Sequence, residues 1–317
     1  MELSVIVVSY NTRELLRGCL QSVVVALSRS PGPDGDPDGP RRKVTYELMV
    51  VDNASQDDSA SMVRAEFPGV QIFRSEINLG FAKANNLAMA RASGRYLLFL
   101  NPDTIVHESA PQRLISFLEA HPLVAVAGPR LVFGDGSFQH SAFRFPSLAQ
   151  SFLDFFPTNH RLIDSHLNGR YPKTKYEGEP FPVDHPLGAC FLVRREAVDG
   201  VGPFDEGFFM YCEEVDWCIR LRRAGWEICC VPEAVVTHYG AQSTRQFRER
   251  MFVELFRSRL RLFRKHYSPA YVFAARQIIR LGLRREARRA QAAFRRGEID
   301  RTLLDKRLSA YREVAAL

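Results

Sequence analysis

Four short polar clusters hold the side chains that could do chemistry. Asn101-Pro102-Asp103 follows the apolar run Tyr96 to Leu100 directly. The proline fixes the backbone and removes a donor. A carboxylate presented there suits a hard divalent cation, Mg2+ or Mn2+, which takes one or two carboxylates together with substrate phosphate oxygens. A turn or helix-cap aspartate is the plainer reading of Asp103 taken alone. Glu213-Glu214-Val215-Asp216 places three carboxylates at the start of an expected helix. Clustered carboxylates raise one another's proton affinity, which leaves one able to act as a general base, although acidic side chains also favour helix N-termini through the dipole. His238 ends a short apolar run. A lone histidine is more often a packed residue than a ligand, so His238 gains meaning only beside Asp103. Asp52 closes a strand, where a carboxylate can accept from the N3–H of a pyrimidine base.

These clusters need a scaffold that brings strand ends together. Leu3 to Ser9 is β-branched and too short for a helix, and a helical pattern with Leu15, Leu16, Leu20 and Val23 follows it. Strands are expected at 47–51, 70–74 and 96–100, with helices between them. This alternation predicts an α/β fold with a doubly wound parallel or mixed sheet, whose ligands bind beyond the carboxyl ends of the strands. Residues 28–43 hold four Pro and three Gly with no apolar residue, which reads as a flexible loop insertion. Residues 133–137 read as a hairpin and 143–185 as a loop region over the sheet. A strand at 188–194, a loop at 204–213 and a helix at 215–224 follow, then short strands at 229–231 and 234–238. From about residue 246 the pattern is helical.

The 317 residues are 46% hydrophobic and 25% charged, an ordinary globular composition that excludes disorder, collagen and coiled coil for the whole chain. The net charge of +7 is unevenly placed. Residues 257–317 carry 17 basic and 5 acidic side chains, whereas residues 1–256 carry 26 and 31. No apolar stretch approaches membrane-span length, and no basic, cleavable leader opens the chain, so a cytoplasmic location is expected. Six cysteines without zinc-ligand spacing read as reduced, buried thiols. Neither GxGxxG after the first strand nor GxxxxGK[ST] occurs, so a nucleotide site would need another recognition scheme.

Six segments in order resemble glycosyltransferase family 2, in particular its bacterial rhamnosyltransferase-like branch: VVSYN at 7–11, VDNAS at 51–55, NLGFAKANN at 78–86, LNPDT at 100–104, EEVDWC at 213–218 and HYGAQS at 238–243. The resemblance covers roughly residues 3 to 266. It implies a GT-A fold, Rossmann-like with a mostly parallel sheet flanked by helices, an inverting transfer, and a dTDP- or UDP-sugar donor with a divalent metal. It also implies that Ser9, Tyr10, Asn11, Asp52, Asn53 and Ser55 surround the nucleoside, while Asn78, Gly80, Asn85 and Asn86 line the donor pocket. Asn101 and Asp103 occupy the family's DxD position. Because its first Asp is Asn here, Asp103 is left as the carboxylate ligand, with His238 as the second. The family's base is the second acidic residue of a Glu-Asp pair, which falls on Glu214, with Glu213 beside it. Arg245 is a candidate for the donor diphosphate, and a surface arginine is its blander reading.

The expected division is a catalytic domain at 1–256 and a basic helical extension at 257–317. Met251, Phe252, Leu255, Phe256, Leu260 and Phe263 recur at helical spacing, as a face packed on the body would. The arginines beyond them read as a solvated face or as a contact for an anionic membrane surface on the inner face of the plasma membrane. The acceptor implied is a saccharide or lipid-linked saccharide of the cell envelope. Two other readings stay open: an inactive carbohydrate-binding homologue, suggested by Asn101 and Glu214, and a basic nucleic-acid-binding protein. The tail lacks the interleaved exposed aromatics that would favour the last, so no nucleic-acid partner is expected.

Overall fold

The computed structural model describes residues 1–28, 44–157, 159–240 and 248–317. The loop insertion from residue 29 to 43 and Arg245 lie outside the described residues. β1 (Leu3–Ser9) runs parallel between β2 (Tyr46–Asn53) and β4 (Tyr96–Leu100), with β3 (Gln71–Ser75) parallel outside β2. Beyond β4 come β11 (Cys190–Arg194), β6 (Val124–Val132), β12 (Glu227–His238) and β5 (Thr104–Val106). β11 is antiparallel to both neighbours, β12 is parallel to β6, and β5 is antiparallel to β12. Short strands β7 (Phe138–Gln139) and β9 (Phe181–Pro182) extend the sheet, while β8 (Ala142–Phe143) and β10 (His185–Pro186) pair separately. The sheet is therefore mixed, and its parallel pairing is concentrated where strand and helix alternate.

Two apolar cores lie on its two faces. Leu3, Val5 and Val7 of β1 point to one side, against Leu16, Leu20 and Val23 of α1 (Arg13–Ser28), with α2 (Ser59–Glu66) and α4 (Ala110–Ala120) on the same face. Ile6 points to the other, towards α3 (Phe81–Met89), α7 (Arg195–Val201) and α8 (Glu213–Arg223). This alternation is the period-two consequence of a strand covered on both sides. Trp217 fixes α8 to the sheet: its ring meets Phe99 edge-on at 5.7 Å, and its indole N–H donates to the Gly202 carbonyl at 2.9 Å.

Three stretches depart from expectation. Within 143–185, expected as loop, lie α5 (Leu148–Phe155), the short α6 (His160–Ile163) and two 3-10 turns. α5 spans barely two turns, too few for a periodic signal, but Ser147 caps it by accepting from Gln150 N at 3.1 Å. The two expected short strands near 229–238 are one strand, β12, with a register shift between Val231 and Val235, where Pro232 can donate nothing to the ladder. α8 begins at Glu213 rather than 215, because Tyr211 (φ 70°) and Cys212 (φ 65°) turn left-handed just before it.

The C-terminal region is three helices: α9 (Arg248–His266), α10 (Pro269–Arg295) and α11 (Arg301–Ala316). Residues 256 and 257, the expected domain boundary, are neighbours within α9, so one continuous helix runs across it. A third core forms where Phe256, Leu260 and Phe263 of α9 meet Ile279 and Leu283 of α10 and Phe155 of α5. α5 and α10 approach closely because residue 282 is glycine: a Cβ there would fall 2.1 Å from Phe155 Cγ. Leu262 faces the opposite way and packs on Phe208, Val215 and Ile219. All six cysteines are buried thiols, as expected. Among the described residues, no helix is long and apolar enough to cross a membrane.

Candidate active site

The parallel register sets Ser9 of β1 beside Asp52 of β2, and Val7 beside Leu100 of β4, so the three strands end side by side. Two loops knit the first pair of ends together. Asn11, held at φ 52°, accepts from Gln56 N at 2.8 Å through its side chain, and its own N–H donates to Ser55 Oγ at 3.0 Å. Ser9 Oγ and Thr12 Oγ1 share a hydrogen bond of 3.0 Å. Asp52 is buried; its Oδ1 accepts from Ser55 N at 3.3 Å, while its Oδ2 lies 3.6 Å from the Arg74 guanidinium. Tyr10 is half-buried beside this pair.

The second group of polar residues holds β2 to α3. Asn53 accepts from Leu79 N at 2.7 Å and donates to Asn78 Oδ1 at 2.9 Å and to the Gly80 carbonyl at 3.2 Å. Gly80 sits at φ 79°, where a side chain is strained, and a Cβ there would fall 2.2 Å from the Phe209 carbonyl oxygen. That carbonyl accepts the first amide of α3, from Phe81, at 2.7 Å. Asn85 donates to the Phe81 carbonyl, and the Asn86 amide both donates to and accepts from the backbone of Phe204. The described contacts of Asn53, Asn85 and Asn86 are thus with the protein: Asn53 braces β2 against the loop before α3, Asn85 bonds within α3, and Asn86 ties α3 to Phe204.

At the end of β4, Asn101 donates its N–H to the Ala189 carbonyl at 2.8 Å, and its own carbonyl accepts from Thr104 Oγ1 at 2.7 Å. This hooked turn presents Asp103 towards β12, where His238 pairs in register with Thr104. Asp103 and His238 are both buried, with His238 Nε2 3.5 Å from Asp103 Oδ1. The other imidazole nitrogen, Nδ1, faces Gln139 Oε1 at 3.2 Å. With Nδ1–H donating to that carbonyl, the lone pair of Nε2 points at the carboxylate. Two electron-pair donors so close fit a shared divalent cation. Among the described residues, no group of three or more His, Cys, Asp or Glu side chains could complete such a site. The donor set therefore suits a cation that takes its remaining ligands from a phosphorylated substrate.

Glu213 is buried and Glu214 half-buried at the first turn of α8. Burial, and then the Glu214 charge, push the Glu213 carboxyl well above the usual range, and burial lifts Glu214 to about 7. Glu214 is the more exposed residue of the two, and Oε2 of each is buried with no hydrogen-bond partner among the described residues. Its carboxyl rests against Gly188, where a Cβ would lie 3.5 Å from Glu214 Cδ. Gly188 adjoins Ala189, which holds Asn101, so the raised carboxylate and the Asp103–His238 pair share one piece of backbone.

Asp216, the third acid of the cluster, has a different place. It is fully buried and accepts from Arg220 at 2.9 Å and from Lys265 and His266 at 2.7 Å each. Burial raises its carboxyl, but the three donors outweigh that and hold it below its ordinary value. Lys265 and Arg261 also bind Asp205, so α9 clasps both the catalytic helix and the loop before it. The Arg220 partner was visible as an i,i+4 pair. The α9 partners, Gln139 and Gly188 carry no local signal, because their partners are distant in sequence.

A mixed sheet between helical layers, polar loops where β1, β2 and β4 end side by side, and a buried carboxylate-histidine pair define a GT-A glycosyltransferase fold. The model of the family "Glycosyl transferase family 2" matches residues 4–202. The N-acetylglucosaminyl-diphospho-decaprenol L-rhamnosyltransferase of Mycobacterium tuberculosis is 30% identical over 241 residues, covering 70% of this chain and 76% of that one. Rhamnosyltransferase WbbL of Escherichia coli K12 is 28% identical over 219 residues, covering 65% of this chain and 78% of its own. Among solved structures, the mannosyltransferase PcManGT from Pyrobaculum calidifontis, in complex with GDP-Man and Mn2+, shares the fold at a TM-score of 0.57 and 17% identity, over 99% of this chain and 86% of that one. The chain belongs to glycosyltransferase family 2 and is an inverting hexosyltransferase.

Proposed function

We propose that the enzyme moves rhamnose from a dTDP- or UDP-linked donor to a lipid-linked saccharide in cell-envelope polysaccharide synthesis. The observation that supports this reading is that Glu214 packs on Gly188, whose neighbour Ala189 holds Asn101 in the turn that carries Asp103. Ser9, Tyr10, Asn11, Asp52 and Ser55 hold the nucleoside, with Asp52 Oδ2 accepting from the pyrimidine N3–H. Asn53, Asn78, Gly80, Asn85 and Asn86 shape the sugar side of the pocket, and Asn101 and Asp103 lie at the diphosphate. Asp103 and His238 would hold Mg2+ or Mn2+, which when bound supplies counter-charge for the leaving diphosphate. Arg245, outside the described residues, is proposed as a further cation for that diphosphate.

Glu214 then takes the proton of the acceptor hydroxyl while that oxygen bonds to the anomeric carbon. The bond to the diphosphate breaks on the opposite face, and configuration inverts. A carboxyl raised to about 7 is matched to this task, because it is largely ionised at mildly alkaline pH yet remains a competent base. Burial is what keeps it raised.

The basic extension supports a second element of the proposal, peripheral binding to the inner face of an anionic membrane. Along α10 the solvent stripe includes Phe273, an exposed aromatic that was not expected in this tail, and Leu281, both more than half exposed, together with exposed Arg280, Arg284 and Arg288. Apolar wedges among cations suit an anionic bilayer surface, where each basic residue is worth about 1 kcal/mol. Incubating the enzyme with a panel of nucleotide sugars and a prenyl-diphosphate-linked N-acetylglucosamine, with Mg2+, Mn2+ or EDTA, tests the catalytic reading. Metal-dependent transfer from dTDP-rhamnose is expected, and transfer from none of the panel refutes it. Sedimentation with vesicles tests the other part: binding to anionic but not neutral vesicles is expected, and equal or absent binding removes it.

A further inference from the structure

A cleft of about 330 Å³ opens between α9 and the loop that leads into Glu213. On the α9 side stand Arg250, Arg257 and Arg261, seven and then four residues apart and hence on one helical face. On the other side lies Phe209, over whose ring the Arg250 guanidinium sits at 5.9 Å. Ser258 closes the floor by donating to the Met210 carbonyl at 2.7 Å. The three cations are not equally engaged. Arg257 is shared between Glu254 and Glu313, and Arg261 is bound to Asp205. Arg250 is exposed, and among the described residues no carboxylate lies within ion-pair distance of it. A guanidinium with five donors beside two others is matched to a phosphate oxyanion, which it can grip with two parallel hydrogen bonds.

The position of the cleft says which phosphate. The donor's diphosphate belongs at the Asp103 side of the site, at the end of β4. The α9 cleft is lined by none of Asn101, Asp103 and His238; it adjoins Phe209, four residues before Glu213 in the loop that runs into the two glutamates, so a phosphate held there would lie on the approach to Glu214 and not at the end of β4. A saccharide carried on a lipid diphosphate has its anionic group next to the sugar that bears the attacking hydroxyl. We infer that this cleft is the acceptor's diphosphate subsite, with Arg250 as its main contact and Phe209 as an apolar platform for the adjoining sugar. This rests on the proposed transfer to a lipid-linked saccharide, and it adds the residues that would select a diphosphate-linked acceptor over a free sugar.

Two measurements on Arg250→Ala and Arg250→Lys test it. Titration calorimetry with citronellyl diphosphate reads the subsite without turnover. Alanine is expected to weaken binding roughly tenfold or more, with lysine between alanine and wild type, since a charged hydrogen bond contributes on the order of one such factor. Unchanged binding in Arg250→Ala overturns the inference. Transfer to citronellyl-diphospho-N-acetylglucosamine is then compared with transfer to octyl N-acetylglucosaminide. The expected result is that the preference for the diphosphate acceptor collapses in Arg250→Ala, whereas equal losses with both acceptors overturn the assignment. Wild-type binding of citronellyl diphosphate together with no transfer from any nucleotide sugar would leave the subsite standing and refute the catalytic proposal instead.

Discussion

Replacing Glu214 by Gln should disable the enzyme and strengthen its fold. Folded Glu214 binds its proton up to about pH 7, whereas an unfolded glutamate releases it near 4.5. Below 4.5 both states are protonated and the residue has no net effect. As pH rises from 4.5 through 7, the folded state retains a proton that the unfolded state has lost, so stability falls over that window. A shift of this size corresponds to about 3 kcal/mol above pH 7, at 1.36 kcal/mol for each tenfold change in the proton equilibrium. Glutamine keeps the shape without the charge and also relieves Glu213, whose carboxyl the Glu214 charge helps to raise. The variant should therefore match wild type near pH 4 and exceed it by up to about 3 kcal/mol at pH 8 in urea denaturation. Transfer should fall by roughly 10²–10⁴-fold, the range for loss of a general base. A variant less stable than wild type at pH 8 would sink the argument, because it would mean the carboxylate is held by favourable contacts rather than tolerated at a cost.

Other outcomes follow from the same geometry. For wild type, kcat/KM should rise with pH along a limb centred near 7 and flatten above it, and a limb centred near 4.5 would contradict the raised carboxyl. Asp103→Asn and His238→Ala should each raise the Mn2+ concentration needed for thermal stabilisation by a nucleoside diphosphate, by roughly tenfold or more, and a metal response identical to wild type would reject the ligand assignment. Asp216→Ala should cost about 1–3 kcal/mol in denaturant unfolding, because it removes the buried acceptor that Lys265, His266 and Arg220 share. A loss under 1 kcal/mol would show that the clasp holds little.

What the sequence disclosed was whatever depended on neighbours along the chain. Leu3 to Ser9 and Tyr96 to Leu100 are continuous apolar runs with polar residues at their ends, so strand, direction and site edge could all be read from them. Asp103, Glu214 and His238 could be singled out by type and motif, but their convergence depends on β12 returning beside β5, which no local pattern states. The same holds for α5, two turns whose Phe155 meets α10 over Gly282, 127 residues later. Tyr211 and Cys212 carry no turn-forming residue type, so their left-handed conformation, and with it the true start of α8, was invisible. Such conformations cost on the order of 1–3 kcal/mol each and cluster where function fixes the backbone.

The bond between Phe81 N–H and the Phe209 carbonyl has a kinetic consequence. α3, assigned above to the donor pocket, is capped by the loop that lines the proposed acceptor subsite, and the missing side chain of Gly80 is what lets that loop come so close. An acceptor that displaced the loop would uncap α3, at about 1 kcal/mol for one hydrogen bond. Occupancy of one side therefore biases the other by a factor of a few, even though the two substrates need not touch. Donor and acceptor Michaelis constants measured separately would then not describe this enzyme; each should vary with the concentration of the other, and a Gly80 variant should alter both together.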